Sequence, residues 1–228
     1  MTLSPAARVL LASASPRRRQ LLETLGIEFT VAATAFDEET ILHGPGSPTD
    51  KAVALARAKA AAARSGGEPY VIGADTIVAL GRDVLGKPAS PDDAEEMLRV
   101  LRGRPHEVIT GVAVLRRADG ATFADTATTT VWMRHYSPTE ITAYVATGDP
   151  LDKAGSYAIQ HPQFHPAERI VGCYWNVVGL PLCLLSRLLA QAGADVTAAD
   201  QLGAGVCSLC RADGVSPAPD LGQRSANG

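Results

Sequence analysis

Residues 11–22, LASASPRRRQLL, constrain this chain more than any other stretch. Val9, Leu10 and Leu11 form a short apolar run suited to a buried strand. Ser13 and Ser15 bracket a tight loop, and Ser15-Pro16 supplies a helix N-cap followed by the residue best tolerated at the first helical position. Leu21, Leu22 and Leu25 then recur at helical spacing as far as Gly26. Three arginines, Arg17, Arg18 and Arg19, crowd the first turn. That end of a helix already carries partial positive charge, so three guanidinium groups are unfavourable there unless an anion arrives. Amides, hydroxyls and guanidinium forks on one loop fit a phosphate. A solvated basic turn fits the same residues.

Further along, residues 29–32 alternate like a strand and lead into the acidic group Asp37-Glu38-Glu39. Gly44, Pro45, Gly46 and Pro48 mark a loop, after which Thr49 and Asp50 cap an alanine-rich helix over 51–64. Residues 70–80 read as a strand interrupted by Asp75-Thr76, and Ser90-Pro91-Asp92 opens a helix through Leu101. Two long strands, 108–116 and 122–132, are joined by a turn at Ala118-Asp119-Gly120. Ser137-Pro138 starts a helix stopped by Gly148, strand-like pieces surround Ile159 and Ile170, and Pro181 opens a last apolar helix through Ala192.

A chain of 228 residues can bury a core without disulfide support, as one large domain or two small lobes. A net charge of −3 argues against a nucleic-acid polymer as partner, and no segment has the length and apolarity of a membrane span. With no export signal, the four cysteines are expected to be thiols in the cytoplasm. The motifs GxxxxGK[ST], GxGxxG and GxSxG are absent. Cys207 and Cys210 make a lone CxxC, two ligands short of a zinc site. His161 and His165 are spaced like ligands on a helix, but Pro162 and Pro166 place them on a loop, facing solvent.

Asp75 lies inside VIGADTIV, where an acid is unfavourable unless it is paired, metal-bound or facing a cleft. Asp37, Glu38 and Glu39 alone would be a solvated loop; with Asp75 they could hold a hard divalent cation. Lys59 shares a helical stripe with Leu55, Ala62 and Ala63, and such a lysine either snorkels to the rim or meets an anion. Lys87, in Gly86-Lys87-Pro88, comes from a rigid turn after the Asp75 strand and by itself reads as an exposed loop lysine.

Taken in order, LASASPRRRQLL, the acidic group at Asp37, Glu38 and Glu39, ARAKA around Lys59, IGADTIV around Asp75, GKP at Lys87, HEVITGVAV from His106 and GDPLDKAGSYAIQ from Gly148 resemble the Maf family of nucleoside triphosphate pyrophosphatases. The resemblance implies an α/β fold of the inosine-triphosphatase-like type, with an elongated mixed sheet flanked by helices and a cleft between two lobes. One domain would cover residues 1–193; the tail, 194–228, has no counterpart in the family pattern, and its composition reads as disordered. The implied reaction is hydrolysis of a nucleoside triphosphate to the monophosphate and pyrophosphate with a divalent metal cation (Mg²⁺, Mn²⁺ or Co²⁺), and a homodimer is left open.

By the same resemblance, Asp75 is the base or the metal-linked activator of water, and Glu38 holds the metal with it. Arg17, Lys59 and Lys87 hold phosphates, and Ser13 sets the loop geometry. Family members differ near the equivalents of Arg17, Thr76 and Gln160, and KAGSYAIQ ending at Gln160 looks like the branch acting on dTTP and UTP rather than on 7-methyl-GTP. After Gln160 that branch continues with a glycine-rich loop, whereas this chain has His161-Pro162-Gln163-Phe164-His165-Pro166, which alters the loop near base or sugar. The rival function is a nucleotide-binding regulator of septum formation with little turnover, since the family is also associated with septum arrest. The joint presence of Asp75, Glu38, Lys59 and Lys87 favours the enzyme.

Overall fold

The computed structural model describes residues 8–34, 37–63 and 66–195. The tail and its Cys207 and Cys210 lie outside the described residues. In chain order the elements are β1 (Val9–Leu11), α1 (Pro16–Glu23), β2 (Phe29–Val31), α2 (Glu39–Leu42), α3 (Pro48–Ala62), β3 (Tyr70–Leu80), β4 (Asp83–Leu85), α4 (Pro91–Leu101), β5 (Pro105–Arg116), β6 (Thr122–Met133), α5 (Pro138–Val145), β7 (Ala167–Val171), α6 (Tyr174–Val178) and α7 (Leu182–Gln191). The strands form one mixed sheet in the order β2-β1-β3-β5-β6-β7, with β4 also on β3. β1 runs parallel to β2 and β3, and the other pairings are antiparallel. This is the helix-flanked mixed sheet that the family resemblance implies.

Four helices begin alike. α1, α3, α4 and α5 each have a serine N-cap and a proline at the first helical position, and the serine oxygen accepts the amide of Arg18, Asp50, Asp93 or Glu140. Such a cap contributes ~1 kcal/mol, and in α3 and α5 the acid returns a bond to the serine amide. The expected start of the alanine-rich helix is therefore corrected: Ser47 is its cap, and Pro48 opens the helix rather than marking a loop. The strand expected at Ile159 is also absent. The chain there passes through short 3-10 turns at Asp149–Asp152 and Ala154–Ser156, with Gly155 at φ +68°. Cys183 on α7 is disulfide-bonded, so the expectation of thiols fails for it.

Alternation along β3 divides its side chains between two cores. Ile77 and Ala79 pack with Ala52 and Leu55 of α3, while Ile72, Ala74 and Val78 face the larger core of α4, α6 and α7. α3 rests directly on backbone: a methyl group on Gly111 would lie 2.1 Å from the Ala52 carbonyl oxygen, and one on Gly73 2.2 Å from that of Ala56. With no side chain between helix and strand, the height of Lys59 above β3 is set by main-chain contact.

The sheet is interrupted beside the middle of β3. Pairing with β1 ends at Leu11 and Ile72, and pairing with β4 starts at Leu85 and Val78. Among the described residues, positions 73–77 have a strand partner only on the β5 side. The serine loop leaves β1 at this gap, with the Ala12 amide donating to the Ile72 carbonyl at 2.8 Å.

Candidate functional site

A cleft of ≈1190 Å³ opens at the gap, and all eight residues singled out in the sequence line it. Its volume exceeds the ~300–1,000 Å³ usual for small-molecule pockets, leaving room for base, sugar and triphosphate. Because neighbours on a strand point to opposite faces, Asp75 projects toward α3 and Thr76 toward the larger core. The cleft wraps the free edge of β3 and receives both.

On the α3 side, the Lys59 ammonium contacts Asp75 Oδ1 and lies 3.2 Å from Glu38 Oε1. Lys59 therefore meets anions instead of snorkelling. The acidic trio does not act as one unit. Asp37 accepts the amides of Glu39 and Thr40 and the Thr40 hydroxyl, closing the start of α2, and the hydroxyl bond leads in holding its carboxyl below the ordinary value. Glu39 pairs with His43 at the surface, so Glu38 alone reaches Lys59.

The three arginines also separate. Arg18 Nε donates to the Gly179 carbonyl at 2.9 Å, one terminal nitrogen to Ser13 Oγ at 3.2 Å, and the other to Thr76 Oγ1 at 3.2 Å. Burial pulls its pKa down, while the charge of Asp75 pulls it up. Arg17 stands at the mouth with its guanidinium 3.9 Å from Asp152, and Arg19 is exposed. Arg17 and Arg18 line the cleft, whereas Arg19 faces solvent as the solvated turn has it. Sequence reasoning missed Arg18 as a site residue. Its spacing of three, four and seven from Leu21, Leu22 and Leu25 was the available signal, because it places the guanidinium stem on the buried stripe.

Ser13 also accepts the Ser15 amide at 3.2 Å, which fits its expected part in loop geometry. Lys87 is exposed on the rim after β4, where the Gly86 carbonyl accepts the Gly155 amide at 3.0 Å. Gln160 is exposed on the facing rim. Leading to it, buried Lys153 donates to the carboxylates of Asp149 at 2.9 Å and Asp152 at 2.6 Å. Tyr144 donates to Asp149 at 2.6 Å and accepts the Ala158 amide at 2.9 Å. Lys153, which opens the KAGSYAIQ stretch, and Tyr144, which has no motif signal, were not singled out in the sequence.

The loop that replaces the glycine-rich segment is built on an aromatic stack. Phe164 lies on Tyr144 with ring centres 4.2 Å apart and planes at 15°. His161 Nδ1 accepts the Phe164 amide at 3.0 Å, and the ring meets Tyr144 at 4.7 Å. His161 thus holds the turn together, contrary to the expected solvent-facing role; His165 is exposed as expected.

Among the described residues no group of three or more His, Cys, Asp and Glu side chains forms a metal cage. Two carboxylates already converge on one cation at Lys59. That all-oxygen pair fits a hard divalent ion completed by phosphate and water.

Comparison with known proteins gives a family and close relatives. The family model described as "Maf-like protein" matches residues 8–192. A dTTP/UTP pyrophosphatase of Geotalea uraniireducens (strain Rf4) is 48% identical over 189 residues, covering 82% of this chain and 96% of that protein. A dTTP/UTP pyrophosphatase of Thermomicrobium roseum is 48% identical over 222 residues, covering 96% of this chain and 98% of that protein. The second match leaves only about nine of the 228 residues outside it, so it runs through most of the tail, which therefore has a counterpart in a relative. Among solved structures, a HAM1 protein from Coxiella burnetii superposes with a TM-score of 0.41 at 13% identity, over 89% of this chain and 99% of that one.

Proposed function

The chain belongs to the Maf family, and from that premise we propose that it hydrolyses dTTP and UTP to the monophosphate and pyrophosphate. The observation that carries this is the convergence of Lys59 on Asp75 and Glu38 beside the loop of Ser13, Arg17 and Arg18. Cleavage at the α-phosphorus needs an in-line water and a place for negative charge on the non-bridging and leaving oxygens. Lys59, Lys87, Arg17 and Arg18 supply cations around the cleft for that charge. Lys59 holds Asp75 Oδ1, and Oδ2 has no partner among the described residues, which leaves it to accept a proton from water. Glu38 and Asp75 would hold a divalent cation. Such an ion neutralises phosphate charge and acidifies bound water.

At the rim, the Gln160 amide can donate to a ring carbonyl and accept an imide N–H, a pattern offered by thymine and uracil. The test is pyrophosphate release from dTTP, UTP, CTP, GTP and 7-methyl-GTP with Mg²⁺, Mn²⁺ or Co²⁺, on wild type and Gln160→Ala. Preference for dTTP and UTP, flattened in the variant, is expected. Preference for a purine would overturn the substrate class. No turnover with any metal would hand the site to the regulator that binds nucleotide without cleaving it.

A further inference from the structure

Asp149 and Asp152 are the two ends of one 3-10 turn, in which side chains three positions apart eclipse. Two carboxylates thereby meet on one side of the chain, on the wall of the cleft that leads to Gln160. Lys153 ties them together: its side chain is only 8% exposed, and its ammonium donates to Asp149 Oδ1 at 2.9 Å and to Asp152 Oδ1 at 2.6 Å. One ammonium cannot balance two carboxylates. Asp149 has both oxygens occupied, since the Tyr144 hydroxyl donates to its Oδ2 at 2.6 Å. Asp152 does not. Its Oδ2 accepts no hydrogen bond among the described residues, and the Arg17 guanidinium at 3.9 Å is beyond hydrogen-bonding reach. The surplus charge rests on this oxygen, fixed by a buried lysine on a side chain that is 67% exposed and lines the cleft.

An ionised acceptor held in place and left unfilled is made for a ligand proton. A pyrimidine nucleoside triphosphate has few to give. Its ionised phosphates offer only acceptors and repel a carboxylate. The imide N3–H is taken by Gln160 in the reading above, which leaves the sugar. dTTP has no 2′-hydroxyl, so the one sugar donor that dTTP and UTP share is the 3′-hydroxyl. The place agrees with this choice. Asp152 lines the same cleft as Gln160, assigned to the base, and stands beside Arg17, assigned to the phosphates. The sugar lies between base and phosphates in any nucleotide. A metal ion suits this carboxylate poorly, because Lys153 and Arg17 already set two positive charges against the pair.

We propose that Asp152 Oδ2 accepts the 3′-hydroxyl of the nucleotide sugar, with Lys153 and Asp149 as positioning residues that hold the carboxylate. The proposal rests on the pyrimidine triphosphate reading above and deepens it by giving the sugar its contact. It also limits the substrate class to free nucleotides. The 5′-triphosphate end of a nucleic acid carries its first 3′-oxygen in a phosphodiester, which has no proton to donate and brings a negative charge against Asp152.

The experiment measures kcat/KM for dTTP and for its 3′-deoxy and 3′-fluoro analogues; fluorine approximates the size of the hydroxyl but carries no proton. Wild type should prefer dTTP over both by ~10-fold or more. Asp152→Ala should bring dTTP down to the level of the analogues and leave the analogue values nearly unchanged. Asp152→Asn removes the charge but keeps an acceptor oxygen, and should shrink the preference severalfold. A purely structural role for Asp152 would lower all three values together. Wild type that handles the 3′-fluoro analogue like dTTP, or folded Asp152→Ala that keeps the preference, overturns the proposal and leaves the pyrimidine reading standing. If Asp152→Ala does not fold, an unchanged preference in Asp152→Asn overturns it. An enzyme that turns over neither dTTP nor UTP overturns the pyrimidine reading itself, and this proposal with it.

Discussion

Replacing Lys59 by methionine keeps the unbranched side chain as far as Cε and removes the ammonium from between two carboxylates. The Lys59 and Asp75 side chains are each 12% exposed, and that of Glu38 is 41% exposed. Breaking a fully buried ion pair from one side costs ~3–5 kcal/mol, because the remaining charge is stranded. Here Glu38 can turn toward water, which reduces the expected loss to ~2–3 kcal/mol. At about 2–4 °C per kcal/mol for a chain of this size, Lys59→Met should melt roughly 4–12 °C below wild type in the presence of a chelator. A divalent cation can then take the vacated place, so Mn²⁺ should raise the melting temperature of the variant more than that of wild type. Turnover should fall even where stability recovers, since the variant lacks the ammonium proposed above to meet phosphate charge. Thermal melts with EDTA and with Mn²⁺ provide the measurement. A variant melting within about 1 °C of wild type in EDTA, or identical Mn²⁺ shifts in the two proteins, would refute the idea that Lys59 balances this carboxylate pair.

Asp75→Asn keeps the shape of the site but removes the proton acceptor and a negative charge, so kcat should drop ~10²-fold or more with circular dichroism unchanged; near-normal turnover would dismiss the assignment. Gly111→Ala places a methyl 2.1 Å from the Ala52 carbonyl oxygen, where only helix movement gives relief. A loss of ~3 kcal/mol in urea unfolding is expected, along with reduced turnover because α3 carries Lys59. His106 is buried against the Tyr157 hydroxyl at 2.7 Å, and burial lowers its pKa from 6.5 to about 4. Between those values the unfolded chain binds the proton and the folded one does not. This contribution is complete above about pH 6.5, falls as pH drops toward 4, and has lost ~2 kcal/mol by pH 5. Unfolding of wild type and His106→Gln at pH 7.5 and 5 checks this; equal losses in the two would exclude His106 as the cause.

Much of the architecture was legible because helix starts are local chemistry. Ser15-Pro16, Ser90-Pro91 and Ser137-Pro138 announced three helices correctly. Ser47-Pro48 carried the same signal, but the neighbouring Gly44, Pro45 and Gly46 drew it into a loop. Asp75 was legible because a carboxylate in an apolar strand demands an explanation. The rest of the site depends on pairings between distant segments. Thr76 meets Thr110 only through the β3–β5 register, and Arg18 meets Gly179 only after α6 has packed. No periodicity reports such contacts. The segment before Gln160 was misread as strand because Tyr157 and Ile159 alternate, while positive φ at Gly155 and Ser156 bends the chain into turns.

The bond from Arg18 to the Gly179 carbonyl spans 161 positions. It has a consequence for the order in which the molecule is made. The serine loop and α1 leave the ribosome early, when neither Thr76 nor Gly179 exists to receive the guanidinium. β5 and β6 are joined by a short turn, and β3 reaches β5 through β4 and α4; these strands pair over far smaller separations than Arg18 and Gly179, whose contact must first meet a larger loop-closure entropy. Secondary structure should therefore return before activity during refolding, and the gain of turnover should follow the slowest phase, when α6 docks beside α1. Chains halted before residue 179 would carry Ser13, Lys59 and Asp75 and yet have no carbonyl to fix Arg18. Catalytic competence is accordingly expected late in the folding of this chain.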